Sequence, residues 1–314
     1  MHLQAGRLPR AGRSLPRHPL LGRVGRTPLV ELARVPGPGG PRVFAKIESA
    51  NPGGSVKDRA ARAIVTAAFR AGELPGKRLL DSTSGNTGIA YAMLGAALGF
   101  GVTLCVPASA SPERLRILQA YGSEVIETDP LEGSDGALRR ARALSAEEPG
   151  LYFYADQYSN PANPAAHEET TGPEILGQLG RLPLDLFVAG LGTSGTFVGV
   201  SRFLRRASPR TRLVSVEPDA PFHGLEGLKH MASALVPAVY DPALADLRLG
   251  VRTEEAHEMT RRLCREEGLF VGPSSGAAVA AALRAGRETG ARTIAVVLPD
   301  GGDRYLSDRF WRVA

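Results

Sequence analysis

The sequence is poor in cysteine and has no long apolar run. Its two cysteines, Cys105 and Cys264, lie far apart and form no C-x-x-C pair, so they indicate neither a zinc site nor a disulfide framework. No apolar segment approaches the length of a membrane span. Both features favour a protein of the reducing cytoplasm that does not bind a membrane.

The first twenty residues hold no acidic residue and no apolar stretch of the kind found in secretory signals. They contain several arginines and prolines, which predicts a flexible basic tail over residues 1–22 that activity does not require. An early assigned translation start is the alternative interpretation.

The charge balance is basic, with a formal net charge of +6 at pH 7. Arginine is spread over the whole chain, and no stripe of basic and aromatic residues marks a nucleic-acid surface. The balance therefore predicts no nucleic-acid partner and is compatible with anionic substrates.

The chain length and the residue pattern predict an α/β protein. A chain of 314 residues is close to the size at which one core divides into two domains. Short β-branched runs alternate with alanine-rich helical windows, which predicts parallel βαβ units in a doubly wound sheet. The segment N-P-A-N-P at 160–164 is the predicted crossing between domains. The predicted strands are 79–81, 102–106, 124–127, 186–189, 213–217 and 293–298, and the predicted helices are 87–98, 112–121, 196–206, 253–267 and 275–287.

The segment 51–59, N-P-G-G-S-V-K-D-R, combines a turn with a helix start. Ser55 and Asp58 predict a capping box for a helix that runs to about Ala71. Lys57 then lies in the first helical turn, where the positive end of the helix dipole lowers the pKa of an amine. A neutral amine is what Schiff-base chemistry needs. A surface lysine near a helix start is the alternative.

Residues 82–88 read S-T-S-G-N-T-G between a predicted strand and a predicted helix. Hydroxyls, an amide and backbone N–H groups at a helix N-terminus suit an anion. In open α/β sheets, ligands lie at the carboxyl ends of strands. Seven small polar residues exceed what capping requires, so the pattern favours an anion site over the alternative of a heavily capped helix start.

Residues 190–196 read G-L-G-T-S-G-T, again between a strand and a helix. Gly190, Gly192 and Gly195 match the dinucleotide fingerprint G-x-G-x-x-G, and Glu217 follows at about the spacing of a ribose-binding acid. An NAD-dependent oxidoreductase is therefore one hypothesis. The same loop can hold one phosphate, and its three hydroxyls fit a phosphate monoester better than a pyrophosphate.

Residues 272–276, G-P-S-S-G, precede an alanine-rich helix. On these residues alone, Ser274 or Ser275 is best interpreted as a helix cap. Residues 299–303, P-D-G-G-D, lack the alternating ligands of a calcium loop, so they predict a turn at the ligand edge of the sheet and no metal site.

Taken together and in this order, the motifs resemble the cysteine synthase family of fold-type-II pyridoxal-phosphate enzymes. The resemblance extends from G-R-T-P-L at 25–29 to D-G-G at 300–302. It implies two doubly wound open α/β domains with pyridoxal 5'-phosphate in the cleft between them. It also implies a larger cofactor-binding domain, 23–45 and 161–314, and a smaller mobile substrate-binding domain, 46–160.

The resemblance also implies a role for each motif. Lys57 holds the cofactor and acts as general base, Asn86 contacts the ring hydroxyl, and Ser274 faces the pyridine nitrogen. The cofactor phosphate is expected on Gly192, Thr193, Ser194, Gly195 and Thr196. The substrate carboxylate is expected on Thr83, Ser84, Gly85, Asn86, Thr87 and Gln157.

The implied reaction is β-replacement on O-acetylserine or O-phosphoserine, in which sulfide or a sulfur carrier forms L-cysteine. Ser194 stands where the main branch often has glycine, which resembles the B-type branch. The segment 221–230 differs from the usual acetylserine-enzyme segment, and an arginine near the position of Lys229 binds phosphate in the phosphoserine-using branch. Lys229 and His223 are therefore candidate donor contacts, with a solvated turn as the alternative. O-acetylserine ranks first on family frequency.

The assembly and one further activity also follow from the resemblance. A homodimer is expected. A cystathionine β-synthase-like or other β-replacing enzyme is a second alternative, although no segment of this chain resembles the haem-binding extension of that relative.

Overall fold

The computed structural model describes residues 16–83 and 85–312, and these residues form two predominantly parallel sheets with helices on both faces of each. The strands are β1 Leu29–Glu31, β2 Arg42–Ile47, β3 Arg78–Ser82, β4 Val102–Pro107, β5 Glu124–Thr128, β6 Tyr152–Tyr154, β7 Leu186–Gly190, β8 Arg212–Pro218, β9 Leu247–Val251 and β10 Thr293–Leu298. The helices are α1 Lys57–Ala71, α2 Asn86–Leu98, α3 Pro112–Ala120, α4 Gly133–Glu147, α5 Ala162–Ala166, α6 Gly172–Leu179, α7 Gly195–Ala207, α8 Thr253–Glu267 and α9 Pro273–Thr289. A π-helical turn, His167–Thr171, joins α5 to α6.

The larger sheet has six strands in the order β1-β2-β10-β7-β8-β9. All neighbours are parallel except β1 and β2, which pair antiparallel. Alternate residues of each strand face opposite sides, so Leu186 and Val188 pack with α8 and α9, whereas Phe187 and Ala189 pack with α6 and α7. Burial on both faces explains why these strands are apolar without alternation.

The smaller sheet has four parallel strands in the order β5-β4-β3-β6. On one face, Leu79 and Leu104 pack with α1 and α2, and on the other Leu80 and Cys105 pack with α4. The predicted α/β class with doubly wound parallel sheets is therefore confirmed. Cys105 is a buried core residue, and burial raises the pKa of its thiol to about 11.

The capping box predicted for Ser55 and Asp58 is wrong. The Asp58 carboxylate accepts the N–H of Gly53 instead of the N–H of Ser55, while the Ser55 hydroxyl accepts the N–H of Lys57 at 3.2 Å. The glycine turn before the helix brings the Gly53 N–H to Asp58, which satisfies a buried donor of the turn rather than one of the helix. The helix itself runs from Lys57 to Ala71, close to the prediction.

Part of the expected tail is packed in the described chain. Leu20 and Leu21 contact the core of the smaller sheet, and the carbonyl of Leu21 accepts a hydrogen bond from Arg62. Residues 1–15 lie outside the described residues, so the expectation for them stays a prediction.

Candidate active site

The largest concentration of predicted site residues is one pocket at the carboxyl ends of β3, β7 and β10. The predicted site residues that line it are Lys57, Thr83, Asn86, Thr87, Gln157, Gly192, Thr193, Thr196, Lys229 and Ser274. Gly85, Ser194 and Gly195 adjoin this lining without being part of it, and Ser84 lies outside the described residues. Because carboxyl ends of parallel strands share one edge of a sheet, loops far apart in sequence meet there.

Lys57 is the first residue of α1 and lies partly buried in the pocket wall. Burial lowers the pKa of its amine, and the negative charge of Asp300 opposes part of that shift. The direction agrees with the sequence-based prediction, and burial of the amine is its largest cause. A lowered pKa increases the fraction of neutral, nucleophilic amine near neutral pH.

The loop between β7 and α7 presents backbone N–H groups at a helix start, with no lysine or arginine inside it. Ser194 adopts the left-handed region with φ of 69°, and its buried hydroxyl has no hydrogen-bond partner in the described chain. A Cβ at Gly192 would collide with the carbonyl oxygen of Gly227, and one at Gly195 would collide with the Asn163 side chain. A tight loop with an unsatisfied hydroxyl fits a single phosphate group.

The loop after β3 is tied to Gln157. The Thr83 hydroxyl accepts the N–H groups of Gly85 at 3.0 Å and Gly88 at 3.2 Å, so Thr83 does cap α2. The Thr87 hydroxyl donates to Gln157 Oε1 at 2.6 Å. Capping and anion binding are compatible, because Thr83 accepts only one N–H of the first turn of α2, whereas a helix N-terminus presents four.

Ser274 is not the cap of its helix. α9 begins at Pro273 with Gly272 as the capping residue, so Ser274 lies inside the first turn and its side chain reaches the pocket. The interpretation of Ser274 or Ser275 as a helix cap, which the sequence alone favoured, is therefore wrong.

The two candidate donor contacts both line an adjoining outer cavity, and Lys229 also lines the inner pocket. Lys229 lines the pocket, where its ammonium group pairs with Asp135 at 2.9 Å and lies 5.0 Å from the ring centre of Tyr158. His223 lies in an adjoining outer cavity and accepts the N–H of Leu225 through Nδ1. Of the two, only Lys229 contributes to the inner pocket.

Sequence reasoning missed four charged residues of the pocket region. Asp300 hydrogen-bonds Asn86 and is contacted by Tyr305, Arg304 bonds Asn86 and the carbonyl of Gly53, and Arg114 of α3 pairs with Glu226. The available signal was the position of 299–303 directly after the last strand of the sheet, which the sequence analysis assigned to a turn. That signal places Asp300 at the ligand edge but does not identify its partners.

The acid that the NAD-dependent hypothesis requires, Glu217, is engaged in another contact. The Glu217 carboxylate accepts the backbone N–H of Met231 at 2.8 Å, which makes it a structural acceptor.

Within residues 16–83 and 85–312, no three His, Cys, Asp or Glu side chains are grouped as metal ligands. Over the same residues, no helix is long and apolar enough to span a membrane.

Comparisons with known proteins agree with this geometry. A family model described as pyridoxal-phosphate dependent enzyme matches residues 20–300. The chain is 45% identical over 300 residues to the cysteine synthase of Aquifex aeolicus, which covers 93% of this chain and 91% of that protein. It is 41% identical over 304 residues to cysteine synthase A of Escherichia coli, covering 90% and 92% of the two chains.

Two solved structures are also similar over nearly the whole fold. The cysteine synthase of Entamoeba histolytica superposes with a TM-score of 0.88 at 35% identity, covering 97% of this chain and 93% of that chain. O-ureido-L-serine synthase superposes with a TM-score of 0.87 at 39% identity, covering 93% and 94%.

Proposed function

Because this chain belongs to the family of pyridoxal-phosphate dependent enzymes, we propose that the pocket holds the cofactor on Lys57. The enzyme forms cysteine from an activated serine, and an NAD-dependent reaction is not favoured. The observation that carries the assignment of Lys57 is a partly buried lysine of lowered pKa in a pocket that Gly192, Thr193 and Thr196 of the tight loop also line.

The proposed division of labour follows from the position of each group. The loop from Gly192 to Thr196 binds the phosphate of the cofactor, and Asn86 and Ser274 contact its ring. When bound, the cofactor supplies an electron sink for the bond changes at the substrate. Lys57, released by the substrate amine, is placed to accept the proton from the α carbon as general base. The Ser274 hydroxyl carries no charge and so does not stabilise a protonated ring nitrogen, which favours β-replacement.

The substrate carboxylate is proposed to bind at the start of α2. The groups concerned are Thr83, Ser84, Gly85, Asn86, Thr87 and Gln157. An anion at a helix N-terminus is stabilised by the N–H groups of the first turn and by the helix dipole. Gln157 already accepts from Thr87 and donates to the carbonyl of Ser82, so its second amide N–H is the group available to a substrate.

The phosphate assignment predicts a steric effect on cofactor binding. Gly192→Val and Gly195→Val should each lower cofactor content about tenfold or more, because each new side chain collides with the neighbouring Gly227 carbonyl or Asn163 side chain. Cofactor absorbance per chain after gel filtration measures this. Gly177→Val is the matched control, since Gly177 is exposed with open space beside it. Normal cofactor content in both loop variants would contradict the assignment.

The preferred donor is proposed to be O-acetylserine. A phosphate ester requires positive charge and hydrogen-bond donors. Besides Lys57, the cations that line the pocket are Lys229 and Arg114, and they are already paired with Asp135 and Glu226 respectively. O-phosphoserine remains the second candidate because Lys229 does line the pocket.

We expect a specificity constant for O-acetylserine at least about tenfold above that for O-phosphoserine, since phosphate binding must disrupt a partly buried ion pair. Both constants are to be measured in wild type, Lys229→Ala and His223→Ala, the last altering only the outer cavity. If the wild type prefers O-phosphoserine and Lys229→Ala selectively loses activity with it, O-phosphoserine is the donor and the proposal of O-acetylserine is wrong.

The domain division, the assembly and the location of the enzyme are also proposals. The resemblance implies a larger domain of residues 23–45 and 161–314 and a smaller one of residues 46–160. We propose that the first crossing lies after Ile47 instead of after residue 45, because β2 continues to Ile47 in the larger sheet. A homodimer in the cytoplasm, using sulfide or a sulfur carrier, is proposed on the strength of the family.

A further inference from the structure

Asp300 is a buried acid at the carboxyl end of β10, and it lines the same pocket as Lys57. Its Oδ2 accepts two hydrogen bonds, from Asn86 Nδ2 at 2.6 Å and from the Tyr305 hydroxyl at 2.7 Å. Its other oxygen, Oδ1, is buried without a hydrogen-bond partner in the described chain. Burying an unpaired carboxylate oxygen is costly, which makes it a feature that needs a functional explanation.

The amide of Asn86 is held at both ends. Its nitrogen donates to the Asp300 carboxylate, and its oxygen accepts from the Arg304 guanidinium. Reversing the amide would set N–H groups against a cation and the oxygen against an anion, so these two charges select one orientation. In that orientation the second N–H of Asn86 remains available to a ligand in the pocket.

Asp300 is also fixed next to the turn that carries Lys57. The backbone of Asp300 pairs with that of Ser55, and the N–H of Val56 donates to the carbonyl of Pro299 at 2.8 Å. Arg304 donates in addition to the carbonyl of Gly53. The segment after β10 therefore holds the Lys57 turn and the Asn86 amide in one arrangement.

The charge of Asp300 is not neutralised by a direct ion pair. Two carboxylates line the pocket, and Glu226 is paired with Arg114. Between residues 16 and 312, Ser84 excepted, no ion pair within 4 Å includes Asp300. Its negative charge acts at longer range on two cations: it raises the pKa of Lys57, against the larger lowering caused by burial, and it also raises the pKa of Arg114.

We infer that Asp300 is a positioning residue of the β-replacement reaction, which locks the Asn86 amide in one orientation and sets a negative charge opposite Lys57. The inference rests on the proposed roles of Lys57 and Asn86. It assigns a function to a segment that sequence analysis had interpreted only as a turn.

Three variants separate the two effects. Asp300→Asn is nearly isosteric and retains an oxygen that can accept from Asn86, so it removes the charge alone. Asp300→Ala removes both the charge and the acceptor. Tyr305→Phe is the matched control, since it deletes the other hydrogen bond to the same oxygen and leaves the carboxylate charge and the Asn86 bond in place.

The charge is tested by the rate at which cofactor-free, full-length protein captures pyridoxal phosphate, followed by visible absorbance across pH. Capture requires neutral Lys57, so its rate rises as pH passes through the pKa of that amine. Removing a nearby negative charge disfavours the ammonium form and lowers this pKa. We expect the midpoint of the pH dependence of the capture rate to move to lower pH by about one unit in Asp300→Asn and to be unchanged in Tyr305→Phe.

The amide orientation is tested with the cofactor-loaded enzyme. We expect the KM for O-acetyl-L-serine to rise about tenfold in Asp300→Ala and to change much less in Asp300→Asn. An unchanged pH midpoint of cofactor capture in Asp300→Asn overturns the inference. If Asp300→Ala does not fold, the result for Asp300→Asn alone tests the role of Asp300. Failure of the proposed function has a different signature, since Lys57→Ala would then still form the absorbance band.

Discussion

Lys57→Ala should abolish the visible absorbance of the bound cofactor and lower kcat for cysteine formation by at least about 1000-fold. The variant removes both the amine that is proposed to hold the cofactor and the proposed general base, and a positioned base alone contributes about 100- to 10,000-fold. Absorbance spectra of purified protein and initial rates with O-acetyl-L-serine and sulfide measure the two effects.

The matched control is the second lysine of the pocket. The chain holds only four lysines, Lys46, Lys57, Lys77 and Lys229, and of these Lys57 and Lys229 line the pocket. Lys229→Ala should keep the absorbance band, because its ammonium group is paired with Asp135. A normal band in Lys57→Ala together with its loss in Lys229→Ala would transfer the cofactor to Lys229.

Arg59→Met should lower the free energy of unfolding by about 3–5 kcal/mol, the largest stability effect that we expect from a single substitution. Arg59 is fully buried and pairs with Glu48 at 2.7 Å and Glu174 at 2.7 Å. Its guanidinium also donates to Thr27, which joins the N-terminal segment to α1. Methionine fills a similar volume but leaves the buried Glu48 carboxylate without its cation.

Chemical denaturation of the cofactor-loaded protein measures the loss for Arg59→Met. The matched control is Arg42→Met, which breaks an equally well aligned pair with Glu31 whose side chains are 48% and 42% exposed. An exposed pair of this kind contributes about 1 kcal/mol or less. Equal losses in the two variants would show that burial does not determine the strength of the Arg59 network.

Local sequence patterns predicted the regular elements well where caps and periodicity agree. The bounds of α8, Thr253–Glu267, and of β10, Thr293–Leu298, are as predicted. Gly99 and Gly268 end their helices in the left-handed conformation that glycine adopts at little cost. Strands β1, β2, β6 and β9 and helices α4, α5 and α6 were not predicted. For β1 and β6, three residues are too few to establish a period.

Hydrogen bonds between distant segments were not predictable in the same way. The capping box at Ser55 and Asp58 was wrong because the preceding glycine turn offers Asp58 a closer donor. Ser274 was interpreted as a cap because its local pattern matches one, whereas its exposure to the pocket depends on loops elsewhere in the chain. A local pattern identifies the groups that need hydrogen-bond partners, but it does not determine which distant group becomes the partner.

The sequence by itself determined the parallel α/β class and placed two small polar loops, 82–88 and 190–196, between strands and helices. Those properties depend on residues within one element, since hydrophobic period and capping act over a few positions. Only the tertiary structure decided that Asn86 meets Asp300 across 214 residues and that Lys229 meets Asp135 across 94. Such contacts depend on how the strands are ordered in each sheet and how the two sheets face each other, and they determine which charges in the pocket are paired and which act on Lys57.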